Sequence, residues 1–248
     1  MSTADTDLEA MYDAGTRCEE AGDLVQAREL YEAAAALGHA PSIRALGVLL
    51  QFVDDDVDGA RAYFERAAAL GDWQALNNLG LLLLERGDRD GGRDLLRQAA
   101  DAGYVSASLN LASVADAEGD TDAAREWNQR AAEQGSADGM YRLGVHFEQA
   151  GDPAAIRWYT DAASAGHVAA MVNLGALCVR DGMVDLAVTW WEAAALEGSI
   201  DAMVNLGGLF EVFPERGSAR TWFEMAAEHG DQEALGRLAE IDAQESSD

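Results

Sequence analysis

The sequence predicts an all-α fold: a right-handed α-solenoid of about seven antiparallel helix pairs, closed by one C-terminal capping helix. Three observations lead there. Glycines close a helix-like segment at Gly38, Gly71, Gly103, Gly135, Gly166, Gly198 and Gly230, at spacings of 31 to 33 residues, and such a period marks a repeat architecture. A second series of small residues, Gly15, Gly47, Gly80, Ala112, Gly144, Gly175, Gly207 and Ala239, runs in parallel with it. Prolines number only three while alanine and leucine abound, a composition that favours helix over strand.

Each repeat reads as two amphipathic helices, A and B. In ALNNLGLLLLERGD (75–88), Leu76, Leu79 and Leu83 fall on one face at helical spacing, the stripe expected of a buried side. The Gly-Asp pair that follows recurs in EAGD, ERGD, AEGD and QAGD. It supplies a left-handed glycine to end helix A and an N-cap acceptor to start helix B. Helix B closes with runs such as LYEAAAALG (30–38), WYTDAASAG (158–166) and WWEAAALEG (190–198). There the aromatic residues fill the gap between helices and the alanines let backbones approach. In the second repeat QFVDDDVDG (51–59) replaces the Gly-Asp turn. Its aspartates lack the spacing of a calcium loop, so a solvated acidic turn is expected. QEALGRLAEID (232–242) repeats helix A alone, as a capping helix would. The expected organisation is a disordered start over 1–7, a single repeat domain over 8–242 and a disordered tail over 243–248.

The 248 residues are 49% hydrophobic, enough to bury a substantial core without staples. The formal net charge is −28 and the sequence has no lysine. Such a polyanion is expected to be repelled by nucleic acid and anionic membranes and to attract basic partners. A GC-rich or halophilic origin is the other explanation for the same composition. The acidic start lacks the basic region of a secretory signal and no stretch is long enough to span a bilayer, so a cytoplasmic protein is expected.

Catalytic and metal chemistry find no pattern. Cys18 and Cys178 each stand three after the small residue of their repeat and read as small core residues. The histidines, at positions 39, 146, 167 and 229, read as a scatter without metal-ligand spacing. The six tryptophans read as packing, mostly at the core position of helix B. No phosphate loop or nucleophile elbow is present, and no enzyme activity, cofactor or metal is expected.

The apolar-Asn-Leu-Gly pattern in helix A and Trp-Tyr-x-x-Ala-Ala-x-x-Gly in helix B resemble the Sel-one-like repeat, a relative of the tetratricopeptide repeat, over about Leu8 to Ile241. The junction between repeats is of the Sel-one type, while the inner turn lacks that family's usual insertion. The resemblance implies a protein-interaction scaffold or adaptor whose helices A line a concave groove. Carried onto this sequence, the groove positions are Tyr12, Arg44, Asn77, Leu109, Tyr141, Val172 and Val204, then Phe52, Leu81, Val145 and Val179. Glu19, Glu20, Glu85, Asp116, Glu148 and Glu211 give it an acidic edge. The expected partner is a protein or peptide segment with basic and apolar residues. Asn78, Asn110, Asn173 and Asn205 stand two before the small residue, where they either bond a partner's backbone or tie one repeat to the next. The asparagine of the tetratricopeptide carboxylate clamp is missing, its place taken by residues such as Thr16, Val48 and Leu81. An immunity-type inhibitor or chaperone that masks a basic toxin or effector is the alternative reading.

Overall fold

The computed structural model describes residues 3–214 and 218–246, and its contacts divide the chain into two compact units, residues 1–127 and 128–248. Every regular element among the described residues is a helix. The first unit contains α1 (Thr3–Glu20), α2 (Leu24–Ala36), α3 (Ala40–Phe52), α4 (Val57–Ala69), α5 (Trp73–Glu85), α6 (Arg89–Asp101) and α7 (Val105–Glu118), and the division falls within α8 (Thr121–Glu133). The second unit continues with α9 (Ala137–Gln149), α10 (Ala154–Ser164), α11 (Val168–Arg180), α12 (Val184–Leu196), α13 (Ile200–Val212), α14 (Ala219–Glu228) and α15 (Gln232–Glu245). Odd-numbered helices are the A helices of the sequence pattern and even-numbered ones the B helices. α15 is the unpaired A helix at the end.

The turns follow the residue chemistry that encodes them. Every closing glycine adopts a left-handed backbone, for instance Gly38 at φ 85° and Gly166 at φ 87°, a conformation that an L side chain would strain. His39 N–H returns to the Ala34 carbonyl, which satisfies a helix-end acceptor before the next helix begins. Asp23, Asp72 and Asp88 cap α2, α5 and α6 by accepting the N–H of Gln26, Ala75 and Gly91, and one such cap contributes about 1 kcal/mol. In the acidic turn, Asp55 takes the left-handed role at φ 55°. Asp56 caps α4 through Gly59 N–H, and Asp54 pairs with Arg28 at 2.7 Å.

The glycine of helix A exists to admit the bulky residue of helix B. A Cβ on Gly15 would stand 2.5 Å from the Tyr31 ring, and one on Gly144 2.4 Å from that of Tyr159. Gly47 faces Phe64, Gly175 faces Trp191 and Gly207 faces Phe223 in the same manner. These five rings are buried. The core position of helix B is therefore the second of its bulky pair, and among the six tryptophans only Trp191 occupies it. Trp127, Trp158, Trp190 and Trp222, the first of their pairs, are half-buried, and Trp73 is exposed at the start of α5. Cys178 is buried as expected, whereas Cys18 is half-buried and donates to Gln26 Oε1.

Both terminal helices run past the bounds expected of the repeat domain, into the stretches 1–7 and 243–248 expected to be disordered. No glycine or proline interrupts the chain before Gly15, so α1 extends back to Thr3. At the other end Arg220 bonds Asp242 at 2.7 Å and Glu245 at 2.8 Å, which ties down the final turn of α15. Residues 1–2 and 247–248 of the expected termini lie outside the described residues. No described helix is long and apolar enough to cross a membrane.

Candidate protein-binding surface

The seven positions three before the small residue follow one another along the A helices. Tyr12, Arg44, Leu109, Tyr141, Val172 and Val204 are half-buried and Asn77 is buried. Leu81, Val145 and Val179 are half-buried too, and Phe52 is 74% exposed at the end of α3. Of the acidic edge, Glu20, Glu85, Asp116 and Glu148 are exposed, while Glu19 and Glu211 are partly covered.

In the first unit the Tyr12 ring lies 5.7 Å from those of both Tyr31 and His39. Tyr31 is buried and its hydroxyl donates to Glu19 at 2.9 Å. Burial, with the nearby Glu19 carboxylate, pushes its phenol up to about 12. His39, placed at the start of α3 by the turn after Gly38, contacts Ser42 Oγ through Nδ1 and the Glu9 carboxylate through Nε2 at 3.2 Å. Arg44 lies between Asp72, whose carboxylate accepts Nε–H at 3.0 Å, and the Tyr12 hydroxyl at 3.4 Å from Nη2. Burial disfavours the guanidinium charge, but the Asp72 carboxylate and the Tyr12 hydroxyl together outweigh it and hold the Arg44 pKa above its ordinary value. A residue expected to face a partner thus already has one within the chain.

The second unit repeats the aromatic cluster. Tyr141 lies 5.9 Å from Tyr159 and stacks on His167 at 4.3 Å. The Tyr159 hydroxyl donates to Glu148 at 2.6 Å and accepts from Asn173 Nδ2 at 3.2 Å. Burial, then the bond to Glu148, raises the Tyr159 phenol far above its ordinary value. His167 Nδ1 accepts the Ala170 N–H, and Nε2 meets Asp138 at 3.3 Å. His39 and His167 are therefore not a scatter: both are N-cap residues that hold the helix-A tyrosine in place. Their shared position after a closing glycine, with tyrosine in the preceding helix A, was the available signal.

Beside Tyr141, a cleft of about 700 Å³ opens across α9, α11 and the start of α13. Its walls include Val168, Val172, Asn173, Ser199 and Ile200, with Glu197 and Asp201 among its polar residues. The asparagines divide between roles. Asn110 Nδ2 donates to Asn77 Oδ1 at 2.8 Å, tying α7 to α5, while Asn77 itself leans on Asn78 at 3.4 Å. Asn173 ties α11 to α10 through Tyr159. The Asn205 side chain, half-buried, makes no hydrogen bond among the described residues. No group of three or more His, Cys, Asp or Glu among the described residues is arranged to hold a metal ion.

The profile of the Sel1 repeat matches residues 8–39, 137–167, 168–199 and 200–231, more than half of the sequence. The chain belongs to the Sel1 repeat family. Between those Sel1 repeats, the tetratricopeptide repeat profile matches residues 48–104 and 78–139, the stretch with the irregular acidic turn and with Ala112 in place of glycine. No curated protein matches the sequence. Among solved structures, this Sel1 repeat chain is similar to c5321, a protective antigen of uropathogenic Escherichia coli, with 28% identity and a TM-score of 0.65. That match covers 94% of this chain and 56% of the antigen's, so the chain spans little more than half of that relative's length. A Sel1 repeat protein from Oxalobacter formigenes superposes with a TM-score of 0.66 at 24% identity, covering 88% and 99% of the two chains. The immunity protein Pa5087 from Pseudomonas aeruginosa shares the fold at a TM-score of 0.52 and 19% identity, covering 79% and 83%. The repeat fold is one typical of protein–protein interaction.

Proposed function

We propose that this chain is an interaction scaffold or adaptor whose A-helix surface binds a basic or amphipathic segment of another protein. The observation that carries the reading is the cleft at Tyr141, where apolar walls from Val168, Val172 and Ile200 meet the carboxylates of Glu197 and Asp201. Such a surface offers apolar area for the body of a side chain and negative charge for its basic tip. A net charge of −28 strengthens the attraction at long range and makes association fast and salt-sensitive. The exposed acids Glu85 and Asp116 extend the same chemistry to the A helices of the first unit.

The test is charge reversal on residues free of structural duties. Glu148 is unsuitable, because its carboxylate receives the buried Tyr159 hydroxyl. A Glu85→Arg/Asp116→Arg/Asp201→Arg variant should keep its helical circular dichroism and bind an arginine-rich amphipathic peptide at least tenfold more weakly, since each charge contributes on the order of 0.5–1 kcal/mol at exposed positions. Undiminished binding of that peptide would refute the surface assignment. The acidity also favours a dedicated inhibitor or chaperone that masks a basic toxin or effector. In that case the bound protein would lose its own activity when captured, which an adaptor would leave intact.

A further inference from the structure

Resting on that reading, we infer that the cleft at Tyr141 is a seat for one arginine side chain of the partner, and that Arg44 is the chain's own version of that ligand. The two units carry corresponding positions with different side chains. Tyr12, Arg44 and Asp72 occupy, in three successive repeats of the first unit, the positions that Tyr141, Val172 and Ser199 occupy in the second. Each of the first two residues stands three before its small residue, and the third follows the closing glycine as the N-cap of the next helix A. Both N-caps perform the same local task, Asp72 accepting the Ala75 N–H and Ser199 the Ala202 N–H.

In the first unit the space between these positions is filled. The Arg44 guanidinium lies between the Tyr12 hydroxyl and the free oxygen of the Asp72 carboxylate. In the second unit valine replaces arginine, and the equivalent space is the open cleft of about 700 Å³. The tyrosine is retained there, still braced by its histidine at 4.3 Å. The negative charge that Asp72 supplies in the first unit has moved from the N-cap to the neighbouring Glu197 and Asp201, both exposed and engaged in no ion pair among the described residues. A planar guanidinium suits the place better than an ammonium, because its edge donors reach two acceptors at once, as those of Arg44 reach Tyr12 and Asp72. Val172 cannot supply the occupant and no arginine is among the residues that line the cleft, which leaves the seat to a partner's side chain.

The probe is acetyl-arginine N-methylamide, titrated into the isotopically labelled full chain and followed by amide chemical shifts. Saturable shifts centred on Tyr141, Val172 and residues 198–201 are expected, with the neutral citrulline analogue giving none. The deciding variant is Val172→Arg/Ser199→Asp, which rebuilds the first unit's arrangement in the second. It should melt no lower than the parent and no longer bind the probe in the cleft. Glu197→Gln/Asp201→Asn leaves the walls intact and should weaken the probe about tenfold or more, the usual effect of losing a charged hydrogen-bond partner. Shifts spread evenly over acidic surface residues, equal binding of citrulline, or unchanged binding by both variants would overturn the seat. If the probe fails while the amphipathic peptide still responds to charge reversal, the seat is wrong and the wider binding reading stands. If neither responds, both fall.

Discussion

Gly207 and Gly208 stand side by side within α13, and replacing each by alanine should change stability in opposite directions. At Gly208 a Cβ would meet nothing within 4 Å. Gly208→Ala therefore gains the helix-propensity difference of about 1 kcal/mol and nothing opposes it. At Gly207 the same Cβ would stand 2.5 Å from Cε1 and 2.7 Å from Cδ1 of Phe223. That ring is 1% exposed and belongs to the buried core, so it can turn only by displacing packed neighbours. Overpacking of this kind costs about 1–3 kcal/mol, which outweighs the propensity gain. The two variants share that propensity gain, so they should differ by the overpacking cost, about 1–3 kcal/mol, with Gly208→Ala the more stable. Chemical denaturation followed by far-ultraviolet circular dichroism measures the difference directly. Adding Phe223→Leu, which copies the leucine facing Gly80 in the third repeat, should cost less in the Gly207→Ala background than in the parent. A Gly207→Ala variant as stable as Gly208→Ala would refute the claim that the glycine series exists to admit helix-B side chains.

Three further outcomes follow from the same geometry. Tyr31 titrates near 12 in the folded chain against an ordinary 10, so its neutral form stabilises the fold fully below pH 10 and that contribution is lost as pH rises toward 12. Phenolate absorbance should show Tyr31 and Tyr159 ionising above the ordinary phenol range, and Tyr31→Phe should flatten the alkaline decline in that window. Asn128 is buried with its side-chain carbonyl unpaired, so Asn128→Leu, which keeps the branched shape and removes the unpaired polar atom, should raise stability by about 1–2 kcal/mol in a thermal melt. Cys178 is 1% exposed and burial pushes its thiol up, so a thiol reagent should modify Cys18 in the native chain and reach Cys178 only on unfolding.

How much of this was legible in the sequence depends on the range of the interaction. Gly38, Gly71 and their successors announce the helix boundaries because a left-handed backbone is a local demand, and so the repeat length and the unpaired α15 could be read directly. The partner of each A-helix glycine was less plain. In WWEAAALEG both tryptophans look equally fit for the core, and only the angular offset of consecutive residues sends Trp191 inward and leaves Trp190 half-buried. For the candidate surface, composition gave the acidic character but not which acids were free. Glu148 is bonded by the next helix and Arg44 by the N-cap residue of α5, contacts between elements that periodicity does not encode. The histidines were missed for the same reason: their role rests on a tyrosine one repeat earlier.

The central claim is that partners bind along the A helices. Amide hydrogen exchange of the full chain, with and without the arginine-rich amphipathic peptide at saturation, tests it most directly. Protection gained in α9, α11 and the first turn of α13, with the solvent-facing sides of α10 and α12 unchanged, is the predicted result. Protection confined to the B helices, or none in the segment from Glu197 to Asp201, would contradict it.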